Sequence, residues 1–555
     1  MYRGLQIYFH VTDEPIRIRV PAREKGLKKQ HRRRPHGGRA AKPRQDEFAD
    51  QGLNLKKKKR GEENADRKRD EHAPIVPRPN FIRRGLRCAP TAPRDFMYNR
   101  EMRTLEIITP ILLVVHLLWR APRPMPIRFL PLIALAIILI HFVVEGYRWQ
   151  MIPLYALTII FATLAIFHVE IKSVASILTF LLLALATALP ILLPVPRIAH
   201  PSGPYVVGTR IYEMVDDSRR EIYSGNDESR RFMIQIWYPS EADSSAERAP
   251  WMADAKIYAP AIANHIGLPS FFLDHLALVK IPAYKETKVA ESSEPFPVIL
   301  FSHGWNGFNA QNTEQALELA SHGYVVVGVQ HTYGAVVTVF PNGDVALNNP
   351  SALPPDETPT DEYEATAQKL VNQWAGDLGY TLDVLAVMNS SLQTPFTDKL
   401  DLSRVGVYGH STGGGAAIQF CGTDPRCISL LGMDPFMRPV SYEVIDNGAT
   451  QPSFFMFSQV WADELDSRNN ELFNRFYPHV KQPFGVIKIE GTAHYDFTDL
   501  PLLSPLAPQL GLKGPINGKL VTTIVNDYLL SFFNATLKGG QFDNSSKYSE
   551  VKKIH

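Results

Sequence analysis

Ser411 stands in the surroundings expected of a catalytic nucleophile. Residues 409–413 read Gly-His-Ser-Thr-Gly, and they join a β-prone run (404–408) to a run of small and apolar residues (412–420). This G-x-S-x-G pattern at a strand-to-helix turn is typical of a nucleophile elbow, in which a strained backbone lifts the serine hydroxyl above a sheet. A glycine-rich turn without chemistry is the alternative reading of the same five residues.

Two further residues follow in the order that such a serine requires. Asp434 ends the apolar run 427–433, and His494 ends the run 484–490 after a Gly-Thr turn. In the α/β-hydrolase fold the nucleophile, the acid and the histidine occur in this chain order, at the carboxyl ends of successive strands. We therefore predict that Asp434 orients His494 and that His494 takes the proton of Ser411. For each residue taken alone there is an alternative interpretation: the aspartate caps a helix, and the histidine is a surface residue.

The candidate oxyanion hole lies upstream of the serine. Residues 296–302 form an apolar run that continues into His303, Gly304 and Trp305. Because this fold places its second oxyanion donor after that strand, we assign the hole to the backbone N–H groups of Trp305 and Thr412. We expect His303 to orient this loop and His331 to line the pocket or orient the loop.

Four segments resemble the plasma-type platelet-activating factor acetylhydrolases. They read Leu-Phe-Ser-His-Gly (300–304), Leu-Ala-Ser-His-Gly-Tyr (319–324), Gly-His-Ser-Thr-Gly-Gly (409–414) and Gly-Thr-Ala-His-Tyr-Asp-Phe-Thr-Asp (491–499), and the likeness spans about residues 208–533. The resemblance implies a serine-dependent, calcium-independent lipase that removes short or oxidised sn-2 acyl chains from phospholipids, with Ser411, Asp434 and His494 as its triad. Trp305 and Thr412 replace the family's leucine and phenylalanine, which leaves the acyl and head-group preference open.

Two other functions share these residues. A broad-specificity carboxylesterase would use the same triad, whereas a membrane-tethered scaffold of the same fold would not use it. We expect no cofactor, and no metal because no clustered Cys/His spacing of the zinc type occurs. The expected partners are a phospholipid or small ester substrate and the lipid bilayer, with no nucleic acid.

Charge divides the chain, although its formal net charge is only +3. Residues 1–95 contain 26 Lys or Arg against 12 Asp or Glu, whereas the remainder contains 33 against 44. We predict a basic disordered extension (1–101), a membrane region (102–197) and a catalytic domain (198–555). The extension is either a footprint for anionic lipid or nucleic acid, or the product of a misassigned start before Met97 or Met102.

The membrane region contains four apolar stretches, at about 105–119, 127–144, 151–169 and 173–195. A crossing helix needs about 20 apolar residues, so we predict a bundle of three to four transmembrane helices and a multi-pass integral membrane protein. Cys421 and Cys427 bracket a turn after the elbow helix and are either disulfide-bonded or two buried thiols. Because a disulfide needs an oxidising compartment, we place the catalytic domain outside the cytoplasm.

Alternating apolar runs and helical patterns predict the element order of a doubly wound, mostly parallel sheet. The predicted strands lie at 231–237, 298–301, 324–329, 405–408 and 454–461, and the predicted helices at 251–278, 312–321, 365–388 and 521–533. The Pro-, Asn- and Asp-rich segment 335–362 is a candidate lid, and 539–555 reads as a polar tail.

Overall fold

The computed structural model describes residues 16–19, 103–119, 123–169, 173–241, 245–464, 467–542 and 547–554. Most of the predicted basic extension, and with it the question of a misassigned start, lies outside these residues. One part is described: strand β1 (Ile16–Arg19) pairs in parallel with residues 212–215. For these four residues the prediction of disorder is wrong, because the backbone is hydrogen-bonded to the sheet.

Apolar helices follow between residues 104 and 192. They are α1 (Thr104–Leu118), α2 (Met125–Arg128), α3 (Leu130–Val144), α4 (Ile152–Ile166) and α5 (Ser173–Leu192). Only two of the described segments are long and apolar enough to cross a bilayer, Trp149–Ile166 and Ala175–Leu192. Helices α1 and α3 have 15 residues each, about 22 Å of helix, which is less than the roughly 30 Å of a hydrocarbon core. The structure thus gives two candidate spans where the sequence predicted three to four.

Residues 206–553 are built on one large sheet. Its strands are β2 (Val206–Arg220), β3 (Ser229–Ser240), β4 (Arg248–Pro250), β5 (Lys280–Lys285), β6 (Phe296–Ser302), β7 (Val325–Gln330), β10 (Leu400–His410), β11 (Ser429–Met433), β12 (Pro452–Ser458), β13 (Gln482–Ile489) and β14 (Val551–Lys553). Strands β8 (Val337–Val339) and β9 (Val345–Leu347) form a separate hairpin. The order in the large sheet is β14-β13-β12-β11-β10-β6-β7-β3-β2-β5-β4.

Strand β10 lies at the centre of the sheet, between β6 and β11. In the order β7-β6-β10-β11-β12-β13, each strand is parallel to its neighbour. The chain segments that follow these parallel strands therefore gather at one edge of the sheet. This is the α/β-hydrolase arrangement, and it confirms the predicted doubly wound, mostly parallel sheet.

Helices cover both faces of the sheet, as parallel strands that are apolar on both sides require. They are α6 (Ala255–His265), α7 (Thr313–Ser321), α8 (Thr360–Ser390), α9 (Thr412–Thr423), α10 (Tyr442–Asn447), α11 (Gln459–Asp463), α12 (Arg468–Phe476) and α13 (Gly518–Leu537). Side chains of α7 and α13 pack in the hydrophobic core on one face, and side chains of α8 and α9 pack in the core on the other.

Four predicted elements differ from the structure. The helix predicted at 251–278 is interrupted, because it contains α6 (Ala255–His265) and a separate 3-10 turn (Asp274–Leu278). The strand predicted at 454–461 ends at Ser458, whose side chain accepts a hydrogen bond from Trp461 N and so begins helix α11. The predicted lid, 335–362, contains the β8–β9 hairpin and the first turn of α8. The predicted polar tail contains strand β14, which pairs antiparallel with β13.

Candidate active site

Ser411 occupies the turn between β10 and α9. Its backbone has φ 58° and ψ −125°, a region that a residue with a side chain rarely adopts. The turn is held by hydrogen bonds from Ser411 N to Met433 O (3.0 Å) and from Phe436 N to Ser411 O (2.9 Å). A Cβ atom on Gly413 would lie 2.1 Å from Ser302 O, so only glycine fits at this position. The predicted strand, turn and helix around Ser411 are confirmed.

Asp434 and His494 are hydrogen-bonded to each other. His494 Nδ1 lies 3.0 Å from Asp434 Oδ2, and the carboxylate also accepts from Ser458 N (2.7 Å) and Ser458 Oγ (2.6 Å). Burial raises the pKa of Asp434, and the two bonds from Ser458 act in the opposite direction. Because Nδ1 donates to the carboxylate, Nε2 of the neutral ring is left as the proton acceptor.

The His494 ring packs against two aromatic side chains. The Trp461 ring is stacked on it, with centroids 4.3 Å apart and planes 8° apart, and the His410 ring lies at 4.4 Å. His410 Nε2 also bonds His494 O (3.0 Å), so the residue before Ser411 touches the candidate base. Burial lowers the pKa of His494, which keeps the imidazole neutral near pH 7 although its side chain is 20% exposed.

The described hydrogen bonds include no direct one between Ser411 Oγ and the His494 ring. In many enzymes this contact forms or tightens only when substrate binds.

The oxyanion segment faces Ser411 from the end of β6. A Cβ atom on Gly304 would lie 3.2 Å from Ser411 Cβ, which places the Gly304–Trp305 peptide beside the serine. Thr412 is the first residue of α9, where backbone N–H groups lack partners within the helix. Both predicted donor positions therefore border the same serine.

His303 and His331 connect this segment to the core. His331 N donates to His303 Nε2 (3.1 Å), which leaves Nδ1 of His303 to donate to Gly304 O (2.7 Å). Both rings are fully buried. His331 bonds Ser302 Oγ through Nε2 (2.9 Å) and Asp377 Oδ2 through Nδ1 (3.0 Å), and its ring stacks on Trp374 at 4.2 Å. The ring of His331 is thus fixed by three contacts, and its role in the pocket or the loop stays a prediction.

Asp377, on helix α8, is the centre of a buried ionic cluster. It accepts hydrogen bonds from Arg230 Nη2 (2.7 Å), Arg219 Nη2 (2.9 Å) and His331. Arg230 is fully buried and also pairs with Glu221. The two guanidinium groups hold the pKa of Asp377 far below its ordinary value despite the opposing effect of burial. The carboxylate therefore remains charged and fixes His331 with its proton on Nδ1.

Sequence reasoning missed Asp377, Arg230, Ser458, Trp461 and His410. No motif marks the first two, because their roles arise from contacts between distant elements. Ser458 carried a usable signal, since a serine before a short polar and aromatic run is a helix N-cap pattern. His410 is the second residue of the elbow motif, and the motif itself implies no role for the side chain at that position.

A second cluster of ligand-type side chains lies among the apolar helices. Glu106, His141 and Glu145 approach closely enough to hold a metal ion. However, Arg148 donates to both carboxylate oxygens of Glu106, so a buried ion pair already balances that charge. The expectation that the protein has no metal stays a prediction.

Comparisons with known proteins are consistent with this geometry. Residues 194–553 match the sequence model of the family described as platelet-activating factor acetylhydrolase, isoform II. The platelet-activating factor acetylhydrolase of Cavia porcellus is 26% identical over 355 residues, which cover 60% of this chain and 77% of that protein. A probable 1-alkyl-2-acetylglycerophosphocholine esterase of Arthroderma benhamiae is 24% identical over 408 residues, which cover 66% and 95%.

Among solved structures, the ferulic acid esterase from Streptomyces cinnamoneus is similar, with a TM-score of 0.53 and 22% identity. The likeness covers 65% of this chain and 100% of that one. At this level of identity it shows the shared fold.

Proposed function

We propose that this chain, which belongs to the platelet-activating factor acetylhydrolase, isoform II family, is a serine esterase that acts on phospholipids. We also propose that its apolar helices anchor it in a membrane. It is a carboxylic ester hydrolase with relatives that are named for acetylated ether phospholipids. The proposed substrates carry a short or oxidised acyl chain at sn-2, and the proposed reaction needs no calcium. The proposed catalytic domain is 198–555, which nearly coincides with the residues matched by the family.

The observation that carries the proposal is the His494–Asp434 hydrogen bond of 3.0 Å beside a strained Ser411. In the proposed reaction Ser411 Oγ attacks the ester carbonyl while His494 Nε2 takes its proton. The Asp434 carboxylate stabilises the imidazolium that forms. His494 then gives the proton to the leaving lysophospholipid oxygen, and afterwards activates the water that hydrolyses the acyl-enzyme.

The N–H groups of Trp305 and Thr412 are the proposed donors that stabilise the negative charge of the tetrahedral intermediate. His303 holds the carbonyl of the Gly304–Trp305 peptide. Since a trans peptide is planar, its N–H points opposite to its C=O. The bond to His303 therefore turns the Trp305 N–H away from the histidine. Two such donors act on charge as it develops, which is the basis of the proposed calcium independence.

We propose that the apolar helices anchor this domain and that it lies outside the cytoplasm. Cys421 and Cys427 are joined by a disulfide in the structure, and such bonds persist in oxidising compartments. Of the two readings left by the sequence, the disulfide is the one observed.

The Ser411→Ala variant tests the function. In purified full-length protein it should abolish turnover of p-nitrophenyl acetate and of a short-chain sn-2 phospholipid, and should prevent labelling by a fluorophosphonate. Ser202→Ala, at an exposed serine, is the control and should keep both properties. Turnover by Ser411→Ala would refute the assignment of the nucleophile.

The same assays separate the two rivals. Equal efficiency on phospholipids and on unrelated soluble esters would indicate a broad-specificity carboxylesterase. Absence of labelling in the unsubstituted protein would indicate a non-catalytic scaffold. Activity that is unchanged by a calcium chelator is expected, and its loss would contradict the proposed mechanism.

A further inference from the structure

The apolar helices contact the catalytic region through specific polar bonds. Trp149 Nε1 donates to Phe272 O (3.1 Å), and Gln150 Nε2 lies 2.8 Å from His275 Nδ1. Ser504 Oγ donates to Leu192 O at the end of α5 (2.6 Å). These bonds fix which side of the catalytic region faces the helices.

The contacted segments are also those that frame the candidate site. Ser504 belongs to the segment that begins at His494 and runs along the start of α7, where Asp499 accepts from Thr313 N (2.7 Å). Phe272 and His275 belong to a segment that begins at Trp251, whose Nε1 donates to Ala310 O (3.0 Å) beyond the oxyanion segment. Both segments therefore lie at the edge of the sheet where the parallel strands end.

The chain also leaves the apolar helices at this edge. After α5, the backbone N–H of Ala199 donates to Glu314 Oε1 (3.0 Å), in the first turn of α7. Gln311, three residues earlier, approaches His410 beside Ser411, with Gln311 Nε2 3.4 Å from His410 Nδ1. Three independent connections thus place the apolar helices at the edge of the sheet where the candidate site lies.

Exposed apolar side chains continue the apolar surface of the helices onto these segments. Phe271 is 52% exposed and its ring lies 5.4 Å from that of Trp149, and Leu510, in the segment that follows His494, is 51% exposed. Aromatic and aliphatic side chains beside a membrane anchor are suited to the boundary between head groups and acyl chains.

We propose that the apolar helices seat the mouth of the active site on the bilayer in which they are embedded, so that the enzyme takes lipid substrate directly from that bilayer. The inference rests on the proposed function, since it concerns the route of an ester lipid to Ser411. The partner surface is the lipid–water interface, and Phe271 and Leu510 are the side chains that enter it. A lipid ester then reaches the site by moving within the membrane plane.

The test uses full-length protein reconstituted in phosphatidylcholine vesicles. A fluorogenic phospholipid with a short sn-2 chain, on a long sn-1 chain that prevents exchange, is placed either in the enzyme's own vesicles or in separate ones. We expect hydrolysis at least about tenfold faster in the enzyme's own vesicles. The double variant Phe271→Glu/Leu510→Glu should lose roughly tenfold of that rate, because two apolar contacts with the interface are lost.

The matched control is Leu392→Glu. Leu392 is 91% exposed and precedes β10, at the opposite edge of the sheet, so its variant should keep the full rate. All variants should turn over soluble p-nitrophenyl acetate equally, which also reports that they fold. Equal rates in the two vesicle arrangements, or an unaffected double variant, would overturn the inference. If the unsubstituted protein does not hydrolyse the soluble ester at all, the proposed function is refuted instead.

Discussion

Replacement of His303 by leucine tests whether a side chain holds the oxyanion peptide in place. His303 Nδ1 donates to Gly304 O over 2.7 Å, and the ring is fully buried. Leucine fills much of the same space and removes the donor. Without that bond the Gly304 carbonyl keeps only its hydrogen bond from Gly307 N (2.9 Å), so the Trp305 N–H is held less firmly in its direction toward the position of the oxyanion.

The magnitude follows from the loss of one donor. A single oxyanion donor contributes about 3 kcal/mol to transition-state stabilisation, and each 1.36 kcal/mol is tenfold in rate. Complete loss of the donor would lower kcat about a hundredfold, and because Gly307 N still holds the peptide the expected fall lies between about tenfold and that limit. KM should stay close to its original value, because the donor acts on charge that exists only in the transition state.

The assay is steady-state hydrolysis of p-nitrophenyl acetate by the detergent-purified full chain, with thermal unfolding measured in parallel. His303→Asn is the matched control, because an asparagine amide nitrogen occupies nearly the position of Nδ1 and restores the donor. It should recover most of the lost kcat. A folded His303→Leu enzyme with the original kcat, or an equally slow His303→Asn enzyme, would refute this account of the oxyanion peptide.

Two further predictions concern the groups that support the site. Ser458→Ala removes a hydrogen bond to the Asp434 carboxylate, which raises the pKa of the Asp434–His494 pair, so the acidic limb of kcat/KM should move up by about one pH unit. Ser467→Ala removes a comparable helix cap without contacting Asp434, and its pH profile should not move. Arg230→Gln leaves two carboxylates buried without their shared partner and should lower the free energy of unfolding by about 3–5 kcal/mol. Arg220→Gln breaks an exposed pair and should cost at most about 1 kcal/mol in the same denaturation measurement.

The fold and the approach of Asp434 to His494 were accessible from the sequence for a physical reason. In a parallel sheet every strand ends at the same edge, so a chain order of serine, aspartate and histidine at strand ends already implies proximity. The Asp434–His494 hydrogen bond is the contact expected from that order. The strain at Ser411 likewise follows from glycines that admit a sharp turn.

The supporting residues were not accessible, because their roles depend on side-chain packing between distant elements. Arg230 lies on β3 and Asp377 on α8, and only the folded structure joins them to His331. The apolar run that begins at Phe454 predicts a strand that extends to Trp461. The N-cap at Ser458 converts that run into a helix and turns the indole toward His494.

The predicted three to four membrane spans are not confirmed, because two of the described segments are long and apolar enough to cross a bilayer. Apolar composition alone does not give the length of a helix. In the second apolar stretch, Phe129 separates the four-residue helix α2 from α3, and Pro131 lies in the first turn of α3, which has 15 residues. Proline lacks a backbone donor and is favoured only in the first turn of a helix. A turn at Phe129 therefore separates two helices within a stretch whose hydropathy is continuous.

Strand β14 has a consequence for self-association. It covers the outer side of β13, the strand that leads toward His494, through backbone pairing of Val551 with Ile489 and Lys553 with Ile487. Without β14, a row of N–H and C=O groups on β13 would be open to pairing with a strand from another molecule. Strand β14 thus protects the edge of β13 from intermolecular β-sheet formation.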